Sequence, residues 1–209
     1  YANDEPIFYY ITLTNENYEQ PALPEGVQEG ILRGMYLLEE GAAGKRRVQL
    51  LGSGAILREV IAAAEILRND FDVQSDVWSV TSFNELRRDG LETERWNLLH
   101  PDEPARVSYV AKQLGERQGP VVAASDYMKT VADQIRAFVP GRYATLGTDG
   151  YGRSDRRERL RHFFEVNRYF VAIAALKALA DDGTLPRDTV RAAIEKYGID
   201  REKPNPVTV

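Results

Sequence analysis

Cysteine is absent from the 209 residues, so no disulfide and no thiolate metal site is available, and the composition fits a reducing cytoplasm. Histidine occurs only at His100 and His162, and neither sits in an HExxH pattern, a His–carboxylate spacing or a Ser/His/Asp arrangement. A charge balance dominated by one sign is also missing. The net charge of −5 favours neither nucleic acid nor an anionic membrane as a partner. The longest apolar run, Phe170–Leu176, is far too short to span a bilayer. The polar, acidic start Tyr1-Ala2-Asn3-Asp4-Glu5-Pro6 is not patterned as a secretory leader, and it reads as a piece from inside a longer polypeptide.

What is present is enough for a substantial core, with 43% hydrophobic and 28% charged residues in a length that suits one domain with attached segments. Ile7–Leu13 is β-branched and aromatic and predicts a strand, followed by a connector rich in Asn, Pro and Gly from Thr14 to Gly26. Pro24 suits the first turn of a short helix reaching Arg33, which Gly34 breaks. Strands are expected at Met35–Leu38, Val48–Leu51, Asp76–Thr81, Val121–Ala124 and Tyr143–Leu146. Helices are expected at Ile56–Arg68, Phe83–Arg88 (stopped by Asp89-Gly90), Glu94–Leu99 and Arg106–Leu114. Further helices are expected at Tyr127–Phe138 with Asp126 as cap, Asp155–Phe164, Arg168–Ala180, and from Pro186 to Tyr197 before Gly198. The tail Arg201–Val209 is expected to run extended on the surface. Strands alternating with helices imply an α/β fold: a three-layer α/β/α sandwich of four or five strands, mostly parallel, with Met35–Leu38 as a possible antiparallel edge.

Two strand-to-helix turns carry the motifs. Gly52-Ser53-Gly54 lies where a dinucleotide loop would, with Asp72 and Asp76 at about the distance of a ribose-binding acid. Leu57 takes the place of the third glycine, so a tight turn is preferred over cofactor binding. The second turn, Gly147-Thr148-Asp149-Gly150-Tyr151-Gly152-Arg153-Ser154-Asp155, permits an unusual backbone path. Ser154 or Asp155 can cap the next helix, Asp155 with Glu158 has capping-box spacing, and Asp149 with Arg153 can pair or face a partner. Asp89, Glu92, Glu94, Asp102 and Glu103 surround Trp96 in polar sequence and are expected to be solvated. Arg153, Arg156, Arg157, Arg159 and Arg161 make a basic helix start that runs against the helix dipole and suits an acidic partner surface.

The order and wording of these segments resemble a family. Tyr9-Tyr10-Ile11-Thr12, Val48-Gln49-Leu50-Leu51-Gly52-Ser53-Gly54 and Ser79-Val80-Thr81-Ser82-Phe83-Asn84-Glu85-Leu86 are similar to the homodimeric bacterial pyruvate dehydrogenases. So are Glu94-Arg95-Trp96-Asn97-Leu98-Leu99-His100-Pro101, Ser125-Asp126-Tyr127-Met128-Lys129 and the Gly147–Asp155 loop. The match is to the carboxy-terminal domain of these transketolase-like enzymes. The resemblance implies a full-length enzyme that uses thiamine diphosphate and magnesium to decarboxylate pyruvate and acetylate the lipoyl group of an acyltransferase. It implies that residues 1–24 hold the end of a preceding pyrimidine-binding domain plus a linker, and that 25–209 form the third domain. The implied partners are the preceding domains, the second subunit of a homodimer and the lipoyl-bearing acyltransferase. Catalytic, cofactor and metal residues would lie in the other domains, leaving this piece inactive alone and with no cofactor bound. Gly52, Gly54, Trp96, Gly147, Asp149, Gly150, Gly152 and Arg153 are then packing or interface positions. The alternatives are a transketolase-type enzyme domain and a free-standing nucleotide-binding α/β module.

Overall fold

Apolar residues that run on without alternation need cover on both faces, and the strand at Arg47–Gly52 shows this, with every position from Val48 onward buried. In the computed structural model, which describes residues 4, 6–8, 11, 13 and 16–209, that strand is central in a five-stranded sheet. The strands are β1 (Met35–Glu39), β2 (Arg47–Gly52), β3 (Gln74–Val80), β4 (Val121–Ala124) and β5 (Tyr143–Leu146), in the order β1-β3-β2-β4-β5. β3, β2, β4 and β5 are parallel neighbours, and β1 joins β3 antiparallel at the edge. The strand expected over Ile7–Leu13 falls partly on residues 9, 10 and 12, which lie outside the described residues.

The helices are α1 (Gln28–Arg33), α2 (Leu57–Phe71), α3 (Phe83–Leu99), α4 (Tyr109–Gly115), α5 (Lys129–Asp133), α6 (Arg157–Phe163), α7 (Arg168–Asp181) and α8 (Arg187–Lys196). α2, α7 and α8 cover one face, packing Val60, Leu67, Leu176, Leu179 and Val190 against Val48, Leu50, Val77 and Val122. α3, α4 and α5 cover the other, packing Leu86, Val110, Leu114 and Ala132 against Leu51, Trp78, Val80 and Ala123. The result is the expected three-layer sandwich.

Several local expectations are corrected. Asp89-Gly90 does not stop a helix, because α3 runs unbroken through it. A Cβ on Gly90 would lie 2.4 Å from the Phe138 ring, so the glycine serves close packing rather than termination. The helix expected over Tyr127–Phe138 shortens to α5 plus a separate 3₁₀ turn at Arg136–Phe138, and Met128, not Asp126, is the residue before it. α4 starts later than expected, at Tyr109, and is capped by Ser108, whose hydroxyl accepts from the Ala111 N–H. α6 follows Arg156 without a side-chain cap, so neither Ser154 nor Asp155 caps it. The tail is not simply extended, since Pro206 is buried and opens a 3₁₀ turn.

A polar chain crosses the sheet under α3 and α4. Trp78 Nε1 donates to Gln49 Oε1 at 2.9 Å, and Gln49 Nε2 donates to Asp76 at 2.9 Å. Asp76 is wholly buried and also accepts from the Gly41 N–H and the Arg47 guanidinium. Trp78→Phe removes the first donor and leaves a buried Gln49 oxygen unpaired. The expected loss is about 1–3 kcal/mol, read as a lower urea midpoint with an unchanged m-value.

Candidate functional site

Three loops leave the carboxyl ends of β2, β4 and β5 side by side, and backbone hydrogen bonds continue the sheet into them. The Ser53 N–H donates to Ala124 O at 3.2 Å, and the Ser125 N–H donates to Leu146 O at 3.2 Å. Beyond the strands the loops interlock. The Thr148 N–H donates to Tyr127 O at 2.9 Å, and the Thr148 hydroxyl donates to Asp126 O at 2.6 Å. Asp149 accepts from the Lys129 N–H at 3.0 Å, at the first turn of α5.

This geometry gives four of the five predicted glycines a reason of their own. A Cβ on Gly147 would meet Lys129 N at 2.5 Å and Tyr127 O at 2.6 Å, so the two loops touch through backbone alone. Gly150, at φ +115°, faces the Pro206 carbonyl, where a Cβ would come within 2.3 Å. Gly52 admits α2, because a Cβ there would lie 2.8 Å from the Leu57 Cα. Gly54, at φ +57°, lies under the Asp126 carboxylate. Gly152 has open space around it and an ordinary backbone, so packing does not require it.

The anticipated Asp149–Arg153 pair is not formed. Asp149 serves Lys129, and Arg153 places its guanidinium 4.2 Å from the Phe163 ring centroid. Trp96 is not brought to these loops. It lies in the outer half of α3, roughly 20 Å along the helix from its start at 1.5 Å per residue. There His100 stacks on it at 4.4 Å and Arg106 covers it at 3.7 Å, while Asn97 bonds the Arg106 backbone in both directions. Of the carboxylates around it, Asp89 is only partly solvated, since it holds Arg33 at 2.9 Å and accepts from the Tyr109 N–H.

The described residues fit neither a diphosphate nor a metal ion. The Asp126 carboxylate over Gly54 opposes an anion at the β2 turn, and Asp76, tied to Gln49 at the opposite end of its strand, is not free to hold a ribose. Asp72 ends α2 in a left-handed conformation. Among the described residues no group of three or more His, Cys, Asp or Glu side chains is placed to hold a metal, and no helix is long and apolar enough to cross a membrane. His100 accounts for itself against Trp96, and His162 against Phe170 and Asn167.

The outward side of these loops mixes charged and apolar residues, since Asp126, Lys129 and Arg153 are exposed as well. Tyr127, Met128 and Tyr151, from two of the interlocked loops, are exposed, with Tyr151 at 81%. Exposed tyrosine and methionine side chains on interlocked loops have the composition of an interface. Beside it, a cavity of about 330 Å³ is floored by Ile56, Phe164 and Val166 and edged by Arg153, Arg157 and Arg161.

Sequence reasoning missed Tyr127, Met128 and Tyr151, whose neighbours in the chain do not reveal their exposure. It also missed Glu59, 5% exposed, which accepts from Arg161 at 3.1 Å and from the Arg168 backbone and side chain at 3.0 Å. A carboxylate beside the apolar stripe of α2 was the available signal.

Residues 34–167 match the family described as transketolase-like TK C-terminal domain. The chain is 57% identical over 211 residues to the pyruvate dehydrogenase E1 component of Cupriavidus necator, covering 100% of this chain and 24% of that protein. It is 61% identical over 205 residues to the pyruvate dehydrogenase E1 component of Pseudomonas aeruginosa, covering 97% of this chain and 23% of that protein. Among solved structures, transketolase from Leishmania mexicana aligns with a TM-score of 0.49 and 19% identity, over 76% of this chain and 20% of that chain. The chain thus spans about a quarter of the length of the curated relatives it matches.

Proposed function

Because this chain belongs to the transketolase-like C-terminal domain family, we propose that it is the third domain of a pyruvate dehydrogenase of the acetyl-transferring type. The full-length enzyme would use thiamine diphosphate and magnesium, held by its other domains, to decarboxylate pyruvate and acetylate the lipoyl group of its acyltransferase. It would work in the cytoplasm as a homodimer. Residues 1–24 would carry the end of the pyrimidine-binding domain and a linker, and 25–209 the third domain. This piece supplies no catalytic group and is inactive alone.

The observation that carries the reading is the interlocked carboxyl edge. It holds Tyr127, Met128 and Tyr151 outward on loops fixed through backbone contacts. Such a face suits docking against the preceding domain or the second subunit, where it fixes the geometry of a site formed elsewhere. The identity of 57–61% to pyruvate dehydrogenase E1 components supports this enzyme over ketol transfer. The Asp126 carboxylate speaks against a nucleotide-binding module.

Asp149→Ala in the full-length protein tests the proposal. It removes one exposed hydrogen bond, costing about 1 kcal/mol, and loosens the loop that carries Tyr151. Turnover of pyruvate with thiamine diphosphate and magnesium is expected to fall severalfold, with weaker dimerisation in sedimentation. Unchanged dimerisation and turnover would remove the docking role.

A further inference from the structure

In a doubly wound sheet, ligands settle outside the carboxyl ends of neighbouring strands whose connections leave toward opposite faces. Here that point lies between β2 and β4. α2 follows β2 onto one face, α5 follows β4 onto the other, and the two strands are adjacent. The crevice is lined by Gly54, Ala55, Arg58 and Asp126, and its other wall is the chain's own segment, with Tyr18 and Pro21 closing a cavity of about 540 Å³.

Tyr18 is half-buried, while residues 16, 17, 19 and 20 around it are exposed. Its ring lies 4.1 Å from the Arg58 guanidinium carbon and 5.8 Å from that of Arg157. Its hydroxyl accepts from Arg157 at 2.7 Å and donates to Glu16 at 2.8 Å, and Glu16 pairs with Arg157. The same hydroxyl, with Arg157, holds the Glu16 carboxyl below its ordinary range. One aromatic ring is thus gripped by two arginines from α2 and α6, which belong to separate parts of the domain.

We propose that the crevice is the receptor for the segment 16–21, that Tyr18 is its latch, and that the latch sets the direction in which the preceding polypeptide leaves this domain. The idea rests on the reading above that further domains precede it. A place where related folds bind ligands is here filled by the chain itself. Tyr18 acts as a positioning residue: it restricts the linker, and the linker restricts how a site built by other domains is assembled.

The test uses the full-length protein and a glutamate-specific endoproteinase, for which exposed Glu19 lies beside the latch. Tyr18→Ala loses the cation–π contacts and the hydroxyl, and is expected to raise cleavage at Glu19 about tenfold or more. Tyr18→Phe keeps the ring and is expected to stay within about threefold of the parent. Arg58→Gln raises cleavage alone but adds nothing in the Tyr18→Ala background. Amide exchange in β2 and β4 is expected to be unchanged in all three variants, and kcat falls in Tyr18→Ala while KM for pyruvate holds. Cleavage at the parent rate in Tyr18→Ala would overturn the latch, and full turnover despite faster cleavage would overturn its positioning role. A parent protein without pyruvate-decarboxylating activity would sink the enzyme reading, yet the cleavage rates would still decide for or against the latch.

Discussion

Replacing Glu59 by alanine is expected to destabilise the protein by about 3–5 kcal/mol, the range for breaking a buried ion pair from one side. Glu59 sits on α2 with 5% of its side chain exposed, and it gathers Arg161 from α6 and the backbone and guanidinium of Arg168 from α7. Alanine leaves the Arg161 charge, itself 14% exposed, without its partner. For a chain of this size the loss corresponds to a melting temperature lower by about 10 °C or more. Glu59→Gln keeps part of the hydrogen bonding and is expected to lose less.

The pH dependence has a definite sign. Burial pushes the Glu59 carboxyl up, but the hydrogen bonds and charge of Arg168, with the charge of Arg161, outweigh it and hold the group below its ordinary value. The folded form therefore binds this proton less readily than the unfolded chain. Its contribution is complete above the unfolded pKa and is lost as pH falls through the folded one. Urea midpoints from about pH 7 down to about pH 3 are expected to fall more steeply for the parent than for Glu59→Gln. Parallel slopes would contradict the pairing.

Gly147→Ala is expected to be at least as damaging, and through a different cause. The added methyl meets Lys129 N at 2.5 Å, Tyr127 O at 2.6 Å and Met128 C at 2.9 Å, all backbone atoms that no rotamer change can move aside. Relief requires lifting the 147–153 loop from the 126–129 loop. That breaks the two bonds made by Thr148 and the one between Asp149 and Lys129. At about 1 kcal/mol per bond, with about 1–3 kcal/mol for overpacking, the cost is about 4–6 kcal/mol. Gly152→Ala, in the same motif but with open space around it, is expected to stay within about 0.5 kcal/mol. Thermal denaturation separates the pair. Equal stability of the two variants would mean that the loops are not locked as described. In the full-length protein, Gly147→Ala is also expected to lose most of its turnover, since Tyr127 and Tyr151 then no longer share one rigid face.

Legibility in the sequence followed the range of the interactions. Val121–Ala124 and Tyr143–Leu146 were readable to the residue, because a short apolar run between turn residues has few alternatives when both faces are covered. Gly34 was readable as a helix stop, because its left-handed conformation is a local demand. Gly90 was misread for the same reason in reverse. It looks like a breaker, but its use is to receive Phe138, 48 positions later in the chain and invisible to any local pattern. The loop at 147–155 was recognisable as special from its glycines, yet Gly147, Gly150 and Gly152 do unlike things. One meets a neighbouring loop, one meets the Pro206 carbonyl and one meets nothing.

The amino-acid sequence by itself determined the α/β class, the alternation of strands and helices, the turn motifs and the family. All of these depend on periodicity, on glycine's conformational freedom and on strings of adjacent residues. Only the tertiary structure decided which residues face outward at the carboxyl edge, where Glu59 finds its two arginines, and what Tyr18 docks against. Those outcomes are set by parts of the chain brought together from far apart. A carboxylate or a tyrosine has the same local signal whether it ends in solvent or between two guanidinium groups.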